Sequence, residues 1–149
     1  MQNSHFFSLF FGFFGFFSPL FAQTTASEWF FKGKDYRDAG NFEQALECFN
    51  QAIKLSPEFA GAYNNRGTVK AGLNRHEEAV ADLLKSAELG VPLTSVNYYN
   101  LGFSLEQLGR CSEAIDAYTK CKEQIGVKIE SFNVDINEAI KRVILMCRA

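Results

Sequence analysis

Apolar residues recur with the period of an α-helix in successive stretches of this chain. Over 42–55, Ala45, Phe49, Ala52 and Ile53 share one helical face. Ala79, Leu83 and Ser86 take matching places in 76–89, as do Ala114, Tyr118 and Cys121 in 112–125. Each stretch follows another helical one, at 27–39, 57–71 and 95–108. Turn chemistry divides them. Gly40-Asn41 closes the first pair, with Asn41 and Gln44 spaced as a capping box, and Asn74 and Glu77 repeat that spacing. Ser56-Pro57 supplies an N-cap and a first-turn proline for the helix at 57–71. A final amphipathic helix is expected over 133–147. There Ile136, Ile140, Val143, Ile144 and Cys147 share one face, Asp135, Glu138, Lys141, Arg142 and Arg148 fill the rest, and Leu145 points away. The pattern predicts an all-α chain.

Behind the helical period lies a longer one of about 34 residues. Trp29, Gly33, Tyr36, Ala45, Phe49, Ala52 and Pro57 begin it, Tyr63, Gly67, Ala79, Leu83 and Ser86 repeat it, and Tyr98, Gly102, Ala114, Tyr118 and Cys121 repeat it again. In these residues the chain resembles a tetratricopeptide repeat (TPR) protein. Lys70 and Leu105 stand where that family usually has Tyr, and Val91 and Gly126 where it has Pro. The resemblance implies a right-handed superhelical solenoid of helix-turn-helix repeats at about 26–59, 60–94 and 95–128, within a domain over 23–149 closed by the helix at 133–147. Gly33 then lets two helix backbones approach, and Trp29 and Tyr36 fill the space between them.

The resemblance also implies a protein-interaction module or scaffold, because first helices in this family line a concave groove that holds a peptide. The groove positions here are Phe30, Lys34, Arg37, Asn64, Asn65, Thr68, Tyr99, Asn100, Phe103 and Gln107. Asn65 and Asn100 occupy a place where the family often holds a peptide backbone, since an amide both donates and accepts. Phe30, Tyr99 and Phe103 offer apolar contact; the alternative for all of these is support of neighbouring helices. Family members that clamp a C-terminal carboxylate use an Asn that this chain keeps at Asn65, but Lys and Asn where it has Phe30 and Lys34, and Lys and Arg where it has Val96 and Asn100. Such a clamp is not expected. The second reading is self-association through the end that Trp29, Phe30 and Phe31 leave uncovered.

Charge and chemistry narrow the field. Net charge is −2 with mixed signs, which argues against a nucleic-acid surface, and Lys32, Lys34 and Arg37 read as a solvated helix face. His76 is the one histidine past the leader and stands where the first repeat has Phe42, so it reads as a packing residue. With no CxxC pair, no phosphate-binding glycine loop and a single possible base, neither a metal, a cofactor nor an enzyme is expected.

Residues 6–17 carry eight phenylalanines broken only by Gly, Ser and Leu. Ser18-Pro19 ends the run, and Ala22 offers a small residue for cleavage ahead of Gln23. Residues 1–22 therefore read as a signal peptide, with an uncleaved membrane anchor over 6–22 as the alternative. Export to a periplasm, the exterior or an organelle lumen follows from the first reading. Cysteines oxidise in such places. Cys121 replaces a small packing Ala and reads as a buried thiol. Cys111 opens the last second helix and Cys147 ends the closing helix, so antiparallel packing suggests a Cys111–Cys147 bridge, with free thiols as the alternative.

Overall fold

A computed structural model describes residues 24–125 and 135–148. The expected leader lies outside the described residues. Those residues form seven helices: α1 (Ala26–Asp38), α2 (Phe42–Leu55), α3 (Ala60–Gly72), α4 (His76–Glu88), α5 (Ser95–Gln107), α6 (Cys111–Ile125) and α7 (Ile136–Met146). Among the described residues there is no strand, and no helix is long and apolar enough to cross a membrane.

The helices pack as hairpins, α1 on α2, α3 on α4 and α5 on α6, and each hairpin stacks on the next. Small residues set how closely the hairpin helices meet. A Cβ on Gly33 would lie 2.7 Å from the Phe49 ring, one on Gly67 3.0 Å from Leu83, and one on Gly102 2.8 Å from the Tyr118 ring. Phe49, Leu83 and Tyr118 are fully buried. The repeated glycine is thus a seat for the large side chain of the partner helix. The two ends of the stack differ. Val143 is fully buried where α7 covers the last hairpin, whereas Phe31 on α1 is 60% exposed.

The hairpin turns correct the expected capping. Asn41 precedes α2 but makes no side-chain cap bond. Arg75, not Asn74, precedes α4. Asn74 instead has φ 58°, beside Gly40 at 78° and Gly109 at 69°. All three hold the same left-handed turn position. The next N–H returns to the end of the first helix, from Asn41 to the Tyr36 carbonyl, Arg75 to Lys70 and Arg110 to Leu105, at 2.8–2.9 Å. A glycine or asparagine relieves the strain of that turn, so Asn74 serves as a turn residue rather than a cap.

The start of α3 is also later than expected. The Ser56 N–H still bonds the Ala52 carbonyl at 2.9 Å, so this residue ends α2. Pro57 and Glu58 form a turn, with the Phe59 N–H on the Ser56 carbonyl at 3.0 Å. That turn carries the Phe59 ring onto Phe30, centroid to centroid 4.8 Å. Two other helices are capped by threonines. Thr25 and Glu28 form a capping box at α1, and Thr94 and Asn97 form one at α5.

Candidate functional site

First helices α1, α3 and α5 lie side by side, with α3 touching both neighbours. The ten groove residues lie on these three helices and fall into three groups.

On α1, Phe30 is half-buried against Phe31, Phe49 and Phe59. The Lys34 ammonium stands 5.9 Å from the Phe30 ring and 5.8 Å from Phe31. Arg37 donates to the Asn65 side-chain oxygen across the α1–α3 junction and to Asp38 on its own helix. The Asn65 amide nitrogen donates to the Gly61 carbonyl at 2.8 Å. Both ends of the Asn65 amide are therefore engaged within the fold.

Between α3 and α5, Asn64 and Asn97 exchange two amide hydrogen bonds, each 3.1 Å, and the Asn97 amide also donates to the Thr68 hydroxyl at 3.3 Å. Asn97 is 5% exposed. The same side chain accepts from the Thr94 N–H in the cap of α5. Asn64 and Thr68 thus fix how the second and third hairpins meet. Asn97 was missed by sequence reasoning, although threonine with an amide three residues on is a variant of the capping-box spacing.

The third group encloses space. Tyr99, Asn100 and Phe103 of α5 and Ala71 and Gly72 of α3 line an open pocket of about 210 Å³. Tyr99, Asn100 and Phe103 are each half-buried there. Among the described residues the half-exposed Asn100 amide has no hydrogen-bond partner. Asn65 and Asn100 hold equivalent places in their repeats, yet one is satisfied and the other is not. Gln107, a turn farther along, is exposed.

Supports lie directly behind this pocket. His76 is half-buried with its ring edge-on to Phe103 at 5.6 Å and Nδ1 3.4 Å from the Ser104 hydroxyl. The Tyr99 ring stands 5.8 Å from Tyr118, whose hydroxyl donates to Glu106 at 2.8 Å. Arg142 of α7 grips the same carboxylate through two bonds, at 2.5 and 2.9 Å. The guanidinium holds the Glu106 carboxyl below the usual range against the opposing effect of burial. Burial and the Glu106 carboxylate raise the Tyr118 pKa, so its hydroxyl stays a donor. Next to this cluster, Cys111 and Cys147 are bridged with Cα atoms 6.2 Å apart, fixing the end of α7 to the start of α6. Cys121 is a buried free thiol whose pKa burial raises.

A second polar cluster explains an unusual residue. Lys70, where the repeat pattern has Tyr, places its ammonium 2.9 Å from Asp82 and 3.1 Å from Glu78. Arg66 donates two bonds of 2.7 Å to Asp82 and a third to Asn50 of α2. Asp82 is 5% exposed. An ion-paired group thus fills the space that an aromatic ring takes in the first repeat, and the acid is fully occupied. No cluster of His, Cys, Asp and Glu among the described residues has the arrangement of a metal site.

Comparison with known proteins agrees with this architecture. Two family models match, one described as TPR repeat over 33–74 and one as tetratricopeptide repeat over 60–89 and 96–124. Protein STIP1 homolog of Dictyostelium discoideum is 30% identical over 117 residues, 74% of this chain and 20% of that protein. Hsp70-Hsp90 organizing protein of Triticum aestivum is 37% identical over 89 residues, 60% of this chain and 15% of that protein. The match spans a fifth or less of each of these relatives. In fold, the chain is similar to the first TPR of Spaghetti (RPAP3) bound to HSP90 peptide SRMEEVD. The TM-score is 0.69 at 18% identity, covering 84% of this chain and 94% of that one. With three glycine-seated hairpins and matches running from residue 33 to 124, this chain carries tetratricopeptide repeats and has the helix-pair solenoid fold built from them.

Proposed function

We propose that this protein captures an extended peptide segment of another protein on the face formed by α1, α3 and α5, centred on the pocket between α3 and α5. The observation that carries this reading is the unpartnered Asn100 amide between Tyr99 and Phe103 at an open pocket of about 210 Å³. An amide beside two aromatic rings suits a peptide whose backbone it hydrogen-bonds and whose apolar side chain the rings cover. The solved relative that holds an HSP90 peptide supports peptide capture as the use of this fold.

The mode of capture proposed here differs from a carboxylate clamp. Phe30 is packed among aromatic rings, Lys34 rests on two of them, Val96 and Asn100 carry no charge where the clamp has Lys and Arg, and the one kept clamp residue, Asn65, is engaged by Arg37 and the Gly61 carbonyl. The ligand is then an internal segment rather than a chain terminus. The bridged Cys111–Cys147 pair and the phenylalanine-rich 6–17 stretch support a place of action in an oxidising compartment after export.

The test is a display selection of peptides against the full chain, with a photo-reactive group at Phe103 reporting where they bind. Enriched internal peptides that cross-link at Phe103 and compete with one another support the reading. Enrichment only of peptides with a free C-terminal carboxylate contradicts the mode, and cross-links confined to α4 and α6 contradict the site.

A further inference from the structure

One wall of the peptide pocket leans on the end of the chain. Tyr99 lines the pocket, and its ring stands 5.8 Å from Tyr118 behind it. The Tyr118 hydroxyl donates to Glu106, and Arg142 of α7 grips that carboxylate at 2.5 and 2.9 Å. The Arg142 pKa is raised chiefly by the Glu106 bonds, against the opposing effect of burial, with smaller contributions from the Tyr118 and Tyr99 hydroxyls. An arginine of α7 thus acts, through Glu106 and Tyr118, on a residue that lines the pocket.

What holds α7 in place is modest. It has 11 residues, of which Ile136, Ala139 and Val143 are buried. A helix of that length is marginal by itself. The Arg142 side chain is 57% exposed, so its ion pair is partly solvated. The remaining tie is the bridge from Cys147, which caps the end of α7, to Cys111 at the start of α6. Cys147 is exposed and Cys111 half-buried, so the bridge is open to thiol–disulfide exchange. The other two cysteines, Cys48 and Cys121, are buried free thiols whose pKa values burial raises, which makes them poor attackers of it.

We propose that the Cys111–Cys147 bridge is a redox latch on the peptide pocket, completing the Tyr99 wall when it forms and loosening it when it is reduced. This regulation rests on the pocket being the peptide site. The two thiols lose two protons and two electrons as the Sγ–Sγ bond forms, and a disulfide donor takes them up to become two thiols. A dithiol reductant runs the exchange backward. With the bridge formed, α7 keeps Arg142 on Glu106, and Tyr118 stays fixed behind Tyr99. With the bridge reduced, α7 is docked in only part of the molecules, and apparent affinity falls with that part. An exported chain then reaches full affinity only after oxidation.

The experiment compares the oxidised full chain, the same chain treated with a dithiol reductant, and the Cys111→Ser, Cys147→Ser variant, below the unfolding temperature of all three. The probe is a display-selected internal peptide that cross-links at Phe103. In the unliganded chain, 3-fluorotyrosine at Tyr99 reports the pocket wall by its fluorine resonance. The expected result is an affinity loss of about fivefold or more on reduction, with a shifted Tyr99 fluorine signal. The double variant binds as the reduced parent and ignores the reductant. Arg142→Ala, with the bridge intact, reproduces most of the loss, whereas Leu145→Ala, at a site 69% exposed on the same helix, binds as the oxidised parent. An affinity unmoved by reduction overturns the latch, and full affinity in the bridged Arg142→Ala variant overturns its route. If no peptide cross-links at Phe103, the reading of the pocket as the peptide site fails, and the fluorine comparison alone decides whether the bridge sets the Tyr99 wall.

Discussion

Arg142 of α7 and Glu106 of α5, 36 residues apart, meet in a two-pronged ion pair with nitrogen–oxygen distances of 2.5 and 2.9 Å. Glu106 is only 6% exposed, so its charge depends on this partner and on the Tyr118 hydroxyl. Arg142→Ala leaves a buried carboxylate with one neutral donor. The expected loss at pH 7 is about 2–3 kcal/mol, below the range for a wholly buried pair because the guanidinium is partly solvated. The Glu106 pKa is lowered in the fold, chiefly by the bonds from Arg142. A group whose pKa folding lowers stabilises above its unfolded value of about 4.3 and loses that contribution as pH falls through the folded value. The stability gap between parent and Arg142→Ala therefore narrows below about pH 4.3. Denaturant unfolding at several pH values measures it, and a gap independent of pH refutes the assignment.

Gly102 separates packing from helix propensity. Alanine is the better helix former by about 1 kcal/mol, yet its Cβ would sit 2.8 Å from the Tyr118 ring. Gly102→Ala is expected to destabilise by about 1–3 kcal/mol through overpacking. Gly72→Ala is the control, because a Cβ there meets nothing within 4 Å. It should leave stability unchanged or raise it by up to about 1 kcal/mol. Thermal unfolding of the two variants gives opposite signs on this account.

The Cys111–Cys147 bridge closes a loop of 36 residues in sequence separation. Chain entropy alone assigns such a loop about 3–4 kcal/mol. A reductant should lower the unfolding temperature, and the Cys111→Ser, Cys147→Ser variant should match the reduced parent and ignore the reductant. Hydrogen exchange should show α7 amides losing protection before those of α3. Unchanged protection in α7 on reduction would show that its packing on α5 and α6 suffices.

The repeat period was legible because its signature positions are packing positions. Gly33 and Phe49, or Gly102 and Tyr118, identify each other through one requirement, a small residue beneath a large one. The span of α2 was legible for the same reason. The start of α3 was not, since Ser56-Pro57 satisfies the local rules for a helix start equally well as a turn, and the packing of Phe59 on Phe30 decides between them. Asn74 was read as a cap from its local spacing, although its alignment with Gly40 and Gly109 carried the correct signal. The difference between Asn65 and Asn100 lies in no local pattern. It depends on Arg37 of the preceding repeat reaching Asn65, whereas Ala71 stands at the equivalent place ahead of Asn100 and no cation among the described residues reaches that amide.

Recognition at Asn100 and the pocket between α3 and α5 makes two aligned asparagines respond differently to the same substitution. Calorimetric affinities of one selected peptide for the parent, Asn100→Ala and Asn65→Ala test it most directly. A loss of about tenfold or more is expected for Asn100→Ala, as for removal of a hydrogen-bonding anchor, at unchanged thermal stability. A smaller loss is expected for Asn65→Ala, accompanied by lower stability as Arg37 loses its partner across the α1–α3 junction. Full affinity in the Asn100→Ala variant would move recognition away from this pocket.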